Sequence, residues 1–270
     1  MAVPLHTIKK WALRLFIWLV VLPGIPFVVG SVAMLLYANW PASVENIHYQ
    51  SIKPSTHTLT IVTHGMNDNA QSWANAMAEA INHSTKTGYQ AIAIDWQPYA
   101  KDMLRCSRNA SVIGQNLADS ITQQYPNIKQ VHFIAHSAGS FMAYGFCQRA
   151  KQQNPAIQIH NTYLDPVSVF RGIDWDYGEN HFGRCADFAE TYINVGDGVP
   201  GSNVPLANTF TFDITALKPK DYSNSGHLWP VDYYQEKVNQ QQIQTLFNSP
   251  RLPAMFVKGD SLTLDKPAAQ

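Results

Sequence analysis

The most regular feature of the chain is the alternation of two hydrophobic patterns. Short apolar, β-branched runs predict buried strands, and segments whose apolar residues recur every three to four positions predict amphipathic helices. The predicted strands are 58–63, 89–94, 131–136, 157–164, 188–195 and 209–214. The predicted helices are 70–82, 109–125, 138–152 and 231–247. Strands that alternate with helices predict an α/β fold, with a mostly parallel central sheet and helices on both faces.

A different pattern precedes these elements, because residues 15–38 are almost wholly apolar. About 20 apolar residues in a helix cross the hydrocarbon core of a bilayer, so this run predicts an N-terminal transmembrane helix. Pro23 and Pro26 are expected to kink it. The alternative is a secretory signal cleaved after Ala33, but the run is longer than the usual signal core, which favours a retained anchor.

Charge around the apolar run predicts its orientation. The run is preceded by three basic residues, Lys9, Lys10 and Arg14. Basic residues before the span and few soon after it place residue 41 onward outside the cytoplasm. The domain would then be periplasmic or extracellular, or secreted if the segment is cleaved. We expect an anchor or signal at 1–40, a linker at 41–57, an α/β domain at 58–257 and a tail at 258–270.

The balance of charged residues and the cysteine spacing restrict which binding partners the sequence predicts. The 270 residues carry 19 basic and 19 acidic side chains, so the net charge gives no reason to expect nucleic-acid binding. The three cysteines, Cys106, Cys147 and Cys185, lack the spacing of a metal site. One thiol must stay unpaired within a monomer, and the sequence does not indicate which two, if any, form a disulfide. The oligomeric state is equally open.

The strand at 131–136 runs directly into Ser137, with the small residues Ala135 and Gly139 two positions on either side. A strand, a sharp turn at a serine and a following helix are typical of a nucleophile elbow, which exposes the serine hydroxyl above the sheet. The flanking residues must be small because the backbone passes close to its neighbours. This pattern predicts Ser137 as a nucleophile; an ordinary structural turn is the alternative.

Other reactive side chains follow the ends of predicted strands. His64, Asp95 and Asp165 each come directly after such a strand, as Ser137 does. Because ligands and substrates bind at the carboxyl ends of parallel strands, we expect these side chains to gather at one edge of the sheet.

A serine nucleophile needs a base that takes its proton, and on this fold the base follows the serine and the acid in the chain. His160, His181 and His227 all follow Ser137. His160 lies in a predicted strand and His181 in an irregular segment. His227 lies in the loop between the last predicted strand and the last helix, so it is the predicted base.

Two aspartates are candidates for the acid that orients the base. Asp165 ends the strand that follows the helix after Ser137, and Pro166 stiffens its turn. Asp197 follows the next strand in a Gly-Asp-Gly turn, which also forms without any catalytic role. Asp165 is favoured, and Asp197 stays open. For the oxyanion, the backbone N–H groups of Ala138 and Met66 are the candidate donors.

An ordered set of motifs resembles the pancreatic-type lipase family of the α/β-hydrolase superfamily. In chain order the motifs are Thr63-His64-Gly65-Met66, Asp95-Trp96, the helix 109–117, Ala135-His136-Ser137-Ala138-Gly139, Leu164-Asp165-Pro166, Ala186-Asp187-Phe188, and His227 with Tyr233-Tyr234. The resemblance covers residues 58–236. It implies an α/β-hydrolase fold, a Ser137–Asp165–His227 triad, oxyanion donors at Met66 and Ala138, and hydrolysis of lipid esters.

The sequence departs from this family at two places. Ala135 replaces a glycine of the elbow, and residues 215–226 are shorter than the family's lid, so interfacial activation is not expected. The predicted function is a serine carboxylic-ester hydrolase that acts on lipid or acyl esters without a metal or cofactor. A thioesterase, acyltransferase or peptidase with the same triad, or a non-catalytic binding protein, is the alternative.

Overall fold

The structure is a computed structural model that describes residues 5–40, 43–44, 47, 49–84 and 87–266. The chain divides into two compact units, residues 1–41 and 42–270, and each is described by itself.

The N-terminal unit is helical. Helix α1 (Leu5–Phe16) continues through a π-helical turn (Ile17–Val21) into α2 (Leu22–Asn39). The π-turn lies directly before Pro23, and a helix that loses N–H donors to proline commonly adapts its hydrogen bonding in this way. Within the stretch Lys9–Asn39, an 18-residue window has a mean hydropathy of 2.4, and the stretch could cross a membrane by its length and composition, although a signal sequence has the same properties.

The second unit is built on a parallel sheet of seven strands in the order β2-β1-β3-β4-β5-β6-β7. The strands are β1 (Thr58–Thr63), β2 (Tyr89–Ile94), β3 (Gln130–His136), β4 (Gln158–Leu164), β5 (Phe188–Ile193), β6 (Phe210–Asp213) and β7 (Ser261–Thr263). The helices of this unit are α3 (Ala74–Ser84), α4 (Cys106–Gln124), α5 (Ser140–Gln153), α6 (Tyr177–His181), α7 (Trp229–Asn239) and α8 (Leu252–Met255). This confirms the predicted α/β-hydrolase fold.

Each face of the sheet has its own hydrophobic core. On one face α4 and α5 pack Leu117 and Phe146 against Phe133 of β3. On the other face Met77 of α3 and Tyr234 of α7 pack against the sheet. Helices therefore cover both faces of the sheet.

Helices α4 and α5 are in unusually close contact. A Cβ added at Gly114 of α4 would lie 2.1 Å from the carbonyl oxygen of Met142, and one added at Gly145 of α5 would lie 2.4 Å from the carbonyl oxygen of Ser111. The two backbones touch at these glycines, and α5 is the helix that follows Ser137.

One disulfide joins Cys147 of α5 to Cys185, with 6.0 Å between the Cα atoms. The third cysteine, Cys106, is buried and unpaired, and burial raises the pKa of its thiol to about 11. A thiol of this kind is unreactive near neutral pH.

Several predicted boundaries are wrong. The helix predicted at 70–82 begins at Ala74, because Asp68 and Asn69 accept hydrogen bonds from nearby backbone N–H groups and hold the preceding residues in turns. The helix predicted to reach 247 ends at Asn239, where Gln241 has a positive φ of 56°. The segment 258–270, expected to be a loose tail, contains β7, which pairs with β6.

Candidate active site

Ser137 lies at the turn between β3 and α5. Its φ is +53°, a left-handed conformation that serine rarely adopts, and its side chain is 6 % exposed. Non-glycine residues are strained in this region of φ, and such strain is concentrated at functional sites. The turn therefore has the backbone geometry of a nucleophile elbow.

The small residues around Ser137 permit close backbone contacts. A Cβ at Gly139 would lie 2.6 Å from the carbonyl oxygen of His64, and a Cβ at Gly65 would lie 2.7 Å from the Cβ of Ser137 itself. The segment after β1 thus runs directly against the elbow. This contact brings the backbone of Met66 next to Ser137, and the N–H of Met66 donates to no acceptor among the described residues.

The predicted base and acid are in contact. Nδ1 of His227 lies 3.1 Å from Oδ2 of Asp165. Asp165 is fully buried at the end of β4 and, like Ser137, has a positive φ, of 43°. The second candidate acid is equally close, since Oδ2 of Asp197 lies 2.9 Å from the same Nδ1. The structure therefore brings both aspartates to one imidazole, where the sequence left them as alternatives.

The far side of the same imidazole is left without a partner. Nε2 of His227 is buried and makes no hydrogen bond within the described part of the chain. The Ser137 hydroxyl is therefore not hydrogen-bonded to it in this structure. Catalytic hydrogen bonds are often long in unliganded enzymes and tighten only when substrate binds.

The two neighbouring carboxylates favour protonation of the His227 imidazole. Burial of His227 opposes protonation, but the hydrogen bond and the charge of Asp165, together with those of Asp197, outweigh it and raise the pKa of His227. Burial raises the pKa of Asp165, and the neighbouring charge of Asp197 raises it further.

Two residues that the sequence did not single out hold the His227 loop. His136 lies 3.0 Å through Nε2 from the carbonyl oxygen of His227, and burial lowers the pKa of His136 to about 3, so its neutral ring donates Nε2–H. Asn194 donates from Nδ2 to the carbonyl oxygen of Gly226 at 2.8 Å. In the sequence, only their positions point to this role: His136 directly precedes Ser137, and Asn194 directly follows β5.

His64 and Asp95 belong to the structure beneath the site. His64 is fully buried, its Nε2 accepts from the backbone N–H of Trp96 at 3.1 Å, and it lies 3.2 Å from Asp95. Its Nδ1 lies 2.9 Å from the carbonyl oxygen of Gly65. These contacts fix the turn that leads to Met66. Of the other candidate bases, His160 lies within β4, and His181 bonds to the carbonyl oxygen of Tyr177.

A cavity of about 490 Å³ opens beside His227. Its lining includes apolar side chains, Met66, Trp73, Leu228 and Val231. Two carboxylates, Asp68 and Asp232, also line it. Met66 and His227 therefore line the same cavity, and Ser137 is not among its lining residues.

Among the described residues, two groups of side chains bring enough ligand atoms together to hold a metal ion. The first group is Asp165, Asp197 and His227. The second is His132, His160 and Glu190, on three neighbouring strands. There the imidazole rings are stacked 4.2 Å apart and within 10° of parallel, whereas a metal held by two imidazoles lies in the plane of both. The hydroxyl of Thr162 already bonds His132 and Glu190, so this group fits a hydrogen-bond network better than a metal centre.

The buried group of His132, His160 and Glu190 predicts how the stability of the fold depends on pH. Burial raises the pKa of Glu190 to about 7 from an ordinary value of 4.5. A group whose pKa rises on folding stabilises the fold fully below its unfolded pKa, and that contribution is lost as the pH rises through about 7. We expect Glu190→Gln to remove this loss, so that the free energy of unfolding falls by roughly 3 kcal/mol less between pH 5 and pH 8 than in the wild type.

Urea denaturation of both proteins at the two pH values measures this difference. The buried imidazoles of His132 and His160 are present in both proteins, and burial, which has the largest effect on their pKa values, is common to both. Glu236→Gln, at an exposed carboxyl on α7, is the matched control and should behave as the wild type. Parallel curves for wild type and Glu190→Gln would refute the assignment.

A family model matches part of the chain. Residues 53–167, less than half of the chain, match the family described as "Putative serine esterase (DUF676)". None of the curated proteins matches the sequence. The matched residues include β1, the elbow and the turn at Asp165.

Solved structures give only distant similarities. A lipase-esterase related protein from Clostridium acetobutylicum is 17% identical, with a TM-score of 0.31 over 46% of this chain and 48% of its own, so the chain spans about half its length. A Bacillus licheniformis lipase in its propeptide form is 15% identical, with a TM-score of 0.42 over 83% and 56%. A Pyrobaculum calidifontis esterase is 11% identical, with a TM-score of 0.41 over 84% and 90%.

Similarities at this level say nothing about substrates, and the sheet order carries the fold assignment. The chain is therefore an α/β-hydrolase by fold, and the part that contains its elbow is similar to a family described as serine esterases.

Proposed function

We propose that the chain is a serine carboxylic-ester hydrolase in which Ser137 is the nucleophile, His227 the base and Asp165 the acid that orients it. One observation carries the proposal: the imidazole of His227 meets carboxylates at Nδ1, while its buried Nε2 is left without a partner. An imidazole held in this way is oriented and ready to accept a proton. The strained elbow at Ser137, next to the His227 loop, supplies the hydroxyl.

The reaction follows from these positions. Oγ of Ser137 attacks the ester carbonyl carbon and passes its proton to Nε2 of His227. The negative charge on the carbonyl oxygen is stabilised by the N–H groups of Met66 and Ala138. Collapse of the intermediate breaks the carbon–oxygen bond, and the leaving alcohol takes the proton from Nε2. Water, deprotonated by the same Nε2, then attacks the acyl-enzyme; the bond to Oγ of Ser137 breaks, Oγ takes the proton back from Nε2, and the carboxylic acid is released.

Lipid or acyl esters are the proposed substrates. The cavity beside His227 combines apolar and polar side chains, which suits an ester with a modest acyl or alcohol group. The segment before His227 contains a short 3-10 turn at Thr215–Leu217 and is too short for a large lid. We therefore expect activity on dissolved esters without an increase at a lipid interface.

A location outside the cytoplasm is proposed from two observations. The helix Lys9–Asn39 could serve as an anchor or signal, and its basic residues lie at its N-terminal end, before the apolar run 15–38. The Cys147–Cys185 disulfide is of the kind that persists in oxidising compartments.

A fluorophosphonate probe tests the reaction class. It reacts with activated serines and should label the native full-length protein once, with the adduct on the peptide that contains Ser137. Heat-denatured protein is the control and should not react. The proposal fails if the native protein is not labelled, or if mass spectrometry places the adduct on another residue.

A substrate panel then separates the alternatives. The panel is offered to native protein that has not been treated with the probe. It contains carboxylic esters of graded chain length, thioesters, peptides and an alcohol that can accept an acyl group. Hydrolysis of the carboxylic esters is expected. Faster turnover of thioesters or peptides, or transfer to the alcohol in preference to water, would replace the esterase by the corresponding activity on the same residues.

A further inference from the structure

Nδ1 of His227 has two carboxylate neighbours rather than one. Oδ2 of Asp165 lies at 3.1 Å and Oδ2 of Asp197 at 2.9 Å. The two aspartates follow adjacent parallel strands, β4 and β5, so the sheet itself places them side by side. Their side chains are 0% and 5% exposed, so water screens neither of them strongly from the imidazole.

The two carboxylates are held by different parts of the fold. Among the described residues, the Asp165 carboxylate contacts, besides His227, the backbone N–H of Asn194, at a long 3.4 Å to Oδ1. Oδ2 of Asp197 accepts from the Ser202 hydroxyl at 2.7 Å and from the N–H of Val199 at 3.2 Å. Asp197 is thus held by contacts within its own loop that do not involve the imidazole, and its carboxylate lies against His227.

We propose that Asp197 is a second positioning residue for His227, which hydrogen-bonds through Nδ1 to Asp165 and forms an ion-pair contact with Asp197 at the same atom; this inference rests on the proposed esterase. Neither aspartate is then the sole acid. Each keeps the proton on Nδ1 and leaves Nε2 free to act as the base. Two negative charges also stabilise the imidazolium that forms during attack more than one does.

The charge around the imidazole gives a pH signature. The groups that face His227 are Asp165 after β4, Asp197 after β5 and the neutral His136 of β3, with Asp68 and Asp232 on the cavity wall. The two contacting carboxylates raise the pKa of His227, so the base is available only at higher pH. Loss of either should move the acid limb of the activity profile to lower pH.

The test compares Asp165→Asn, Asp197→Asn and the double variant by kcat/KM as a function of pH. Each single variant should retain measurable activity, about 10- to 100-fold below the wild type, with the acid limb at lower pH. The double variant should lose about 10⁴-fold, the loss expected when an oriented imidazole has no acid. Asp213→Asn is the matched control, because Asp213 ends β6 and is bound by Thr215 instead of His227.

Two outcomes overturn the inference: an Asp197→Asn protein with the kcat/KM and acid limb of the wild type, or an Asp165→Asn protein as inactive as the double variant. If Asp197→Asn does not fold, Ser202→Ala, which removes a hydroxyl that holds Asp197, should give a weaker shift of the same sign. NMR titration of the His227 ring separates this inference from the proposed function. A wild type without esterase activity refutes the esterase, while the titration midpoint still shows whether Asp197 acts on His227.

Discussion

Replacement of His227 by glutamine is expected to lower kcat/KM by about 10⁴-fold or more, with the fold intact. The physical reason is that Nε2 of His227 is the proposed proton acceptor for Ser137, and an amide cannot take up that proton. Glutamine is similar in length and keeps the backbone carbonyl that bonds His136. Steady-state hydrolysis of a short-chain p-nitrophenyl ester, with circular dichroism as the folding check, measures the effect.

His181→Gln is the control for this substitution. His181 is another histidine downstream of Ser137, but it bonds Tyr177 and lies against Tyr144. Its replacement should leave kcat/KM within a few-fold of the wild type. A folded His227→Gln protein with comparable activity would remove the base from the proposed mechanism, and with it the esterase assignment.

Replacement of Gly114 by valine is expected to unfold the second unit. A Cβ at this position would lie 2.1 Å from the carbonyl oxygen of Met142 and 2.8 Å from the backbone nitrogen of Phe146. Backbone atoms of α5 cannot move aside as a flexible side chain does, so the two helices must separate and expose the core between them. We expect a loss of at least about 4 kcal/mol, a large part of the roughly 5–15 kcal/mol that stabilises a typical domain.

Thermal unfolding followed by circular dichroism measures this loss. Gly198→Ala is the matched control, because nothing lies within 4 Å of a Cβ at that position and its φ is not in the left-handed region. A Gly114→Val protein that melts within a few degrees of the wild type would show that α4 and α5 are not in backbone contact.

The elements that the sequence predicted well are those with strong local patterns. Strands β1 and β2 have the predicted bounds, because unbroken β-branched and aliphatic runs end at His64 and Asp95. The sharp turn at Ser137 was also predicted, because close backbone contacts at such a turn require small residues on either side of it. The contact between His227 and Asp165 was predicted from the order of the elements, which fixes where the ends of the parallel strands meet.

The features that the sequence could not give depend on distant parts of the chain. Strand β7 has three exposed residues and no hydrophobic pattern, and it exists only because the edge of β6 is available for pairing. The partner of Cys147 is set by where Cys185 lies after the sheet has formed. Asp165 and Asp197 both contact His227. The spacing of the two aspartates in the sequence does not distinguish this arrangement from a contact by one of them alone.

The Cys147–Cys185 bridge has a consequence for producing this protein. It joins α5, which follows Ser137, to a residue beyond Asp165, so the covalent loop of 38 residues encloses the segment that presents the acid. Such a loop stabilises a fold by several kcal/mol, mainly by restricting the unfolded chain. Because Cys106 is buried with a raised thiol pKa, it is a poor competitor for exchange. Recombinant material from an oxidising host compartment should therefore reach one cross-linked form, whereas material from a reducing cytosol starts without it.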